Sequence, residues 1–262
     1  MKLLHPVLRL LMRPLIGIVA SSLVLAGIAA CGGGDTADRL DLANPSLRFV
    51  HASPLGPNLT LTRAGVAQTD ETNVPYGFAS NYFDIDTGAA DWVVKTTAGG
   101  VPLGTSSIDP QRGTKYTIVA LPTSATDTAT LLFADPYNKP LASDSSRVRV
   151  VNGSYNAANI DLYMNAAGTD ITVVGVNPLI SATAFRSAGP ASNNDSVSIP
   201  GGAYQLSITA AGTKTVLFRG TVTFTPNRDV LLVTVPNAAL PTGIKVLVKI
   251  EGTTGLTEVA AS

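Results

Sequence analysis

The sequence predicts an all-β protein, built as two antiparallel β-sandwich domains in tandem behind an N-terminal export segment. Three observations carry this. Residues 47–54 (LRFVHASP) and 148–155 (VRVVNGSY) match at a spacing of 101 positions, and each opens a comparable β-rich run. Within each run, short stretches rich in Val, Ile, Thr and aromatics alternate with Gly, Pro and Asn turn residues, and no helical period persists. The chain has 262 residues, too many for one typical domain and comfortable for two.

Residues 1–30 read as a signal peptide outside the fold. Lys2, Arg9 and Arg13 form a basic leader, and residues 15–30 form an uncharged apolar run of 16, shorter than the ~20 a helix needs to cross a bilayer. The run ends Ile28-Ala29-Ala30-Cys31, which resembles the bacterial lipobox: a branched aliphatic, two small residues that admit the peptidase, and a Cys whose thiol takes the diacylglyceryl group. The resemblance implies lipidation at Cys31, with the membrane as partner through that anchor. Several acyl chains hold stably where one binds only marginally. Gly32, rather than Asp, follows the Cys, as in lipoproteins sorted to the outer membrane. The expected location is the cell envelope, at the outer membrane, facing the periplasm or the cell surface.

Cys31 is the single Cys, so the exported domains have no disulfide and rest on their cores. The chain has 18 basic and 18 acidic residues; removal of the three basic residues of the leader leaves a net charge of −3, which gives no nucleic-acid surface. Residues 31–45 lack hydrophobic periodicity and close on Asn44-Pro45, the pattern of a flexible tether reaching roughly 20 Å.

The first domain, 46–142, is expected to place strands in 47–54, 58–65, 76–86, 91–99, 101–109, 115–122 and 130–136. The second, 146–252, repeats the order through 148–155, 159–168, 178–188, 196–202, 203–212, 214–224, 228–236 and 244–252. Residues 116–122 align on 230–236 at an offset of 114, so the loops of the second copy are longer. Residues 143–146 leave little room for a linker, so the domains are expected to touch. Residues 253–262 are read as a C-terminal tail.

LRFVHASP, with its following Pro-containing turn and an alternating strand ending in Gly, resembles the opening of bacterial domain of unknown function 4397. IPGGAYQLSITAAG (199–212) resembles that family's central hairpin. The resemblance spans most of residues 46–250. It implies an immunoglobulin-like fold and an exported envelope protein, and it brings no catalytic residues. Thr60 stands where the second copy has the family-like Asp161, and Asn152 where the first copy has His51.

Few constellations offer chemistry. The only histidines are His5, in the leader, and His51, so a His/Cys metal site is excluded and a Ser-His-Asp triad would have to use His51. His51 alternates with Leu47 and Phe49 at strand period, and its expected role is a polar strand-end residue bonded to nearby backbone. Asp86-Thr87-Gly88-Ala89 resembles the catalytic loop of retroviral-type aspartic proteases, which pairs two aspartates around one proton. No second Asp-Thr/Ser-Gly exists, and Asp86 aligns with Pro200, which marks a turn position. Asp84, Asp86 and Asp91 cluster as calcium ligands would, at a spacing that fits no EF-hand. Arg48 and Arg149 recur, and Asp161 is expected across a hairpin from Arg149 as a weak ion pair. Tyr76, Phe78, Tyr82, Phe83 and Trp92 are either core filling or a sugar-stacking surface.

The function expected is that of a non-enzymatic envelope lipoprotein, an interaction or structural module for protein or glycan that uses no cofactor. The alternatives are an aspartic-type hydrolase using Asp86 and a glycan-binding module.

Overall fold

Alternating apolar residues write most of the strands. The computed structural model describes residues 43–137, 144–237 and 243–262. Its first half contains β1 (Ser46–His51), β2 (Leu59–Arg63), β3 (Val66–Ala67), β4 (Phe83–Asp84), β5 (Ala90–Thr96), β6 (Pro102–Ile108), β7 (Lys115–Pro122) and β8 (Thr128–Asp135). The second half contains β9 (Ser145–Asn152), β10 (Asn159–Asn165), β11 (Ile180–Ala184), β12 (Ser187–Gly189), β13 (Val197–Pro200), β14 (Gly202–Ala210), β15 (Val216–Phe224), β16 (Asp229–Pro236), β17 (Ile244–Ile250) and β18 (Thr257–Glu258). Among the described residues there is no helix.

Each half is an immunoglobulin-like sandwich of two sheets. In the first, β4-β1-β7-β8 forms an inner sheet and β3-β2-β5-β6 an outer one. In the second, β9, β16, β17 and β18 form the inner sheet with β12 and β13 on the free side of β9, and β11-β10-β14-β15 forms the outer one. The pairing is antiparallel except for one central parallel pair in each half, β1 with β7 and β9 with β16. Parallel strands are typically buried on both faces, and these four are buried along nearly their whole length.

The second burying surface is the other half of the molecule. Leu47, Phe49, Tyr116 and Ile118 point to the core between the sheets of the first sandwich, packed around Trp92, which is 1% exposed. The alternate residues Val50, Val119 and Leu121 point the opposite way, into a third core shared with Val151, Val233 and Val235 of the second inner sheet. The layers therefore run outer, inner, inner, outer, and the two halves meet along a seam. At ~1.5–3 kcal/mol per fully buried aliphatic side chain, this third core is comparable in kind to those inside each sandwich.

The strand register reproduces the sequence repeat. Leu47 pairs with Tyr116 and Val148 with Val230, and Thr60 pairs with Lys95 as Asp161 does with Thr209. The offset is 101 for the first two strands of each half and 114 from β4 and β13 onward, so the extra length of the second half lies between β10 and β13. That stretch includes β11 and β12.

Two boundaries differ from expectation. Residues 253–262, expected as a tail, belong to the second sandwich: β18 pairs with β17, Val259 is buried in its core, and Ala261 bridges Gly220 in β15. A two-residue strand of exposed side chains leaves no periodic trace in sequence. At the other end, Pro45, expected in the tether, is buried, and its carbonyl accepts the Ile85 amide. Cys31, the leader and the rest of the tether lie outside the described residues.

Candidate functional site

The seam has two unlike ends. β1, β7, β9 and β16 all run in one direction, so their first residues gather at one end, called lower here, and their last residues at the upper end.

At the lower end the side chains facing the seam are charged. Lys115, which opens β7, reaches Asp229 and Glu251 of the second half, each at 3.5 Å. Asp135, which closes β8, takes Arg147, takes Arg149 at 3.3 Å, and accepts the Ser196 hydroxyl at 2.6 Å. Burial pushes the Asp135 carboxyl up, but the two guanidiniums and Ser196 outweigh it and hold it below the ordinary carboxylate range. Arg48 stacks over the Tyr82 ring at 4.5 Å and donates to the Thr117 hydroxyl. Lys249, only 1% exposed, donates to Asn81 and to the Thr253 carbonyl. Burial, followed by the charge of Arg48, pulls the Lys249 ammonium down to about 8 against the attraction of Glu251.

This arrangement corrects the hairpin pairing expected for Arg149. β9 and β10 lie in different sheets, so Asp161 does not face Arg149; its carboxylate accepts the Ala182 and Gly212 backbone amides at 2.7 and 2.8 Å. Asp135, Arg147, Asp229 and Lys249 were not singled out from sequence. The available signal was charge inside strands that are otherwise apolar, as in VRV around Arg149 and VKI around Lys249.

At the upper end the seam opens into a shallow cleft of about 20 Å³, room for roughly one water molecule. Its walls are the β1–β2 loop from Ser53 to Gly56, the β7–β8 turn, Tyr155 and Pro236, so both halves line it. Leu55 and Tyr155 are exposed beside it, and Pro122 and Pro236 are repeat equivalents. Asp127 is its one acidic residue, and Ser124 donates to it at 2.9 Å.

His51 supports this cleft from beneath. It is fully buried; its Nδ1 accepts the Ser53 amide at 3.4 Å, which leaves Nε2 to donate to the Pro57 carbonyl at 2.9 Å. Burial lowers its pKa, with the Pro57 bond opposing, so the ring is neutral at pH 7. Asn152 does the same work in the second half. Its Oδ1 accepts the Ser154 amide, and its Nδ2 donates to the Ala157 and Thr183 carbonyls. The strand-end role read from sequence is the role these bonds describe. Gly56 packs on the ring: a Cβ there would lie 3.2 Å from His51 Cε1.

The acidic cluster does not converge. Asp86 is 81% exposed and pairs with Arg63 at 2.6 Å, so a guanidinium stands where an aspartic protease needs a second carboxylate. Asp91 accepts the Ser107 hydroxyl, and no group of three potential metal-ligating side chains gathers among the described residues. Of the aromatics expected as core or sugar platform, Trp92 is buried and the others are half-buried: Phe83 packs on Trp92 and Phe78 on Phe49 at the first core, Tyr76 packs on the seam core, and Tyr82 lies under Arg48.

A family model described as Domain of unknown function (DUF4397) matches residues 45–163. The match takes in all of the first sandwich and continues through β9 into β10. No curated protein matches the chain.

Proposed function

We propose that the chain is a non-enzymatic lipoprotein of the cell envelope, held at the outer membrane through Cys31 and working there as an interaction module for an envelope protein or glycan. In the same reading the second half is a second domain of the matched family, with 46–142 and 146–252 as the domain bodies and residues 253–262 added to the latter.

The observation that supports it is the polarity of the seam. The described body begins at Ala43 beside the lower end, where Gly113 donates to the Ala43 carbonyl, and the cleft opens at the opposite end. At ~3.3 Å per residue, six-residue β1 separates the two by roughly 20 Å. A chain tethered from its lower end presents the cleft away from the lipid. A hydrolase built on Asp86 has less support, because that residue sits on an exposed turn opposite an arginine.

Replacing Cys31→Ser in the full chain and fractionating the cells tests the anchor. The expected result is release of the processed protein from the membrane fraction. A variant that still sediments with membranes after leader cleavage would sink the lipid reading. Acid-dependent peptide cleavage by the purified protein, lost in Asp86→Asn, would sink the non-enzymatic one.

A further inference from the structure

The internal repeat exposes an asymmetry between the two inner sheets. β8 and β17 are equivalent strands: Thr130 pairs with Ala120 as Val246 pairs with Thr234, and Leu132 stands where Val248 does. In the second half the outer side of β17 is covered by the chain itself. β18 pairs with Leu247 and Val248, the Val259 amide donates to the Val246 carbonyl, and Lys245 holds Glu258 at 3.0 Å. In the first half β8 ends its sheet: among the described residues no strand pairs with its outer edge, and β6 of the outer sheet packs against its side chains, with Gly104 close to Thr130.

The backbone of β8 is set to accept one. Ala134 turns its amide and carbonyl away from β7, to Ser192 and Asn193 of the second half. In an antiparallel ladder outward groups recur at every second residue, so Thr130 and Leu132 also turn theirs outward, above the part that Ser192 and Asn193 cover. Residues 128–132 read TATLL, with no charge, proline or bulge, and are half-buried. Such an edge lacks the devices that keep sheets from pairing with other chains. Its upper end runs into the cleft, which Thr128 helps to line.

The geometry points to β8 as a docking edge for an extended segment of a partner protein, which adds to the first inner sheet as a strand antiparallel to β8. The occupant is defined by the covered edge of the second half: an extended, mostly uncharged segment with aliphatic residues at alternate positions. Backbone hydrogen bonds to Thr130 and Leu132 supply the general attraction, and apolar contact with the exposed Leu55 and Tyr155 at the rim of the shallow cleft supplies the choice of partner. This rests on the reading of the molecule as an interaction module and names how that module binds.

The test uses the full chain in mild detergent with a synthetic peptide of residues 255–262 (GLTEVAAS), which is the sequence that covers β17. Amide hydrogen exchange is followed at Thr130 and Leu132, with Val248 as the reference for an edge already covered. The expected result is exchange slowed roughly tenfold at Thr130 and Leu132 by the peptide and unchanged by a scrambled peptide. Protection is also expected to vanish when the peptide is N-methylated at the residue matching Val259. Thr130→Pro, which removes an outward amide and no ladder bond, should abolish protection at Leu132, the reporter amide that remains, while leaving the melting temperature within a few degrees. Exchange at Thr130 and Leu132 that the peptide does not alter overturns the proposal. So does slow exchange without peptide in a chain that sediments as a dimer, which would make a second copy the occupant. Either failure leaves the anchor to the fractionation of Cys31→Ser and the non-enzymatic reading to the cleavage assay with Asp86→Asn, neither of which depends on this edge.

Discussion

Lys249 occupies in β17 the position that Phe133 holds in β8, so at one point of the seam a charge replaces a ring. Its ammonium is buried beside Arg48, and its proton affinity is lowered to about 8 from 10.5. The unfolded chain therefore binds more protons than the folded one between those values, and stability rises with pH across that window. Below about pH 8 both states are protonated and the whole penalty applies. Lys249→Met is expected to raise the melting temperature at pH 7, at about 2–4 °C per kcal/mol in a chain of this size. The gain should shrink between pH 8 and 10.5, which thermal melts at a series of pH values would show. Asp86→Asn belongs to the opposite class: an exposed ion pair contributes ~0–1 kcal/mol, so its melt should stay near that of the wild type. The bend at Asp86 was legible because the repeat puts Pro200 there. The Arg63 partner was not, because it comes from β2, a strand in the other sheet.

Among the elements, β9 ends packed closely against the first half. At Gly153 an added Cβ would lie 2.5 Å from Leu121 Cδ2 across the seam and 2.7 Å from the Thr234 carbonyl oxygen. The leucine can turn aside, but the backbone oxygen cannot move without shifting β16. Gly153→Val is therefore expected to destabilise the chain by roughly 1–3 kcal/mol, measured as a lower denaturant midpoint. The longer strands were legible from their alternation. β3 and β18 were not, because a two-residue strand has no period and exists only where a neighbouring strand offers its edge; β4 is the two-residue remnant of the strand expected over 76–86.

For the whole molecule, the shared third core makes each half incomplete alone. Separated, the first half would expose Val50, Val119 and Leu121, and the second would leave Arg147 and Arg149 without Asp135. A large exposed apolar face promotes association, and a buried charge stripped of its partner is costly unless water reaches it. Residues 46–142 and 146–262, expressed separately, are expected to show β-type circular dichroism, to melt below the intact chain, and to form a one-to-one complex when mixed. Sedimentation of the mixture checks this. Two halves that melt independently at the temperature of the whole chain would show that the seam contributes little.

The sequence by itself determined the all-β class, the doubled pattern with its offsets, and the strand-end place of His51 and Asn152. These are local properties: alternation, turn chemistry and self-similarity are written along the chain. It took the folded molecule to show that β1, β7, β9 and β16 are buried on both faces, that Asp135 serves Arg147 and Arg149 across the seam, and that a strand pairs with the outer edge of β17 while, among the described residues, none pairs with that of β8. Each of these depends on residues far apart in sequence. A Val that faces its own sandwich and a Val that faces the other half read alike, and which is which follows from how two sheets stack once both have formed.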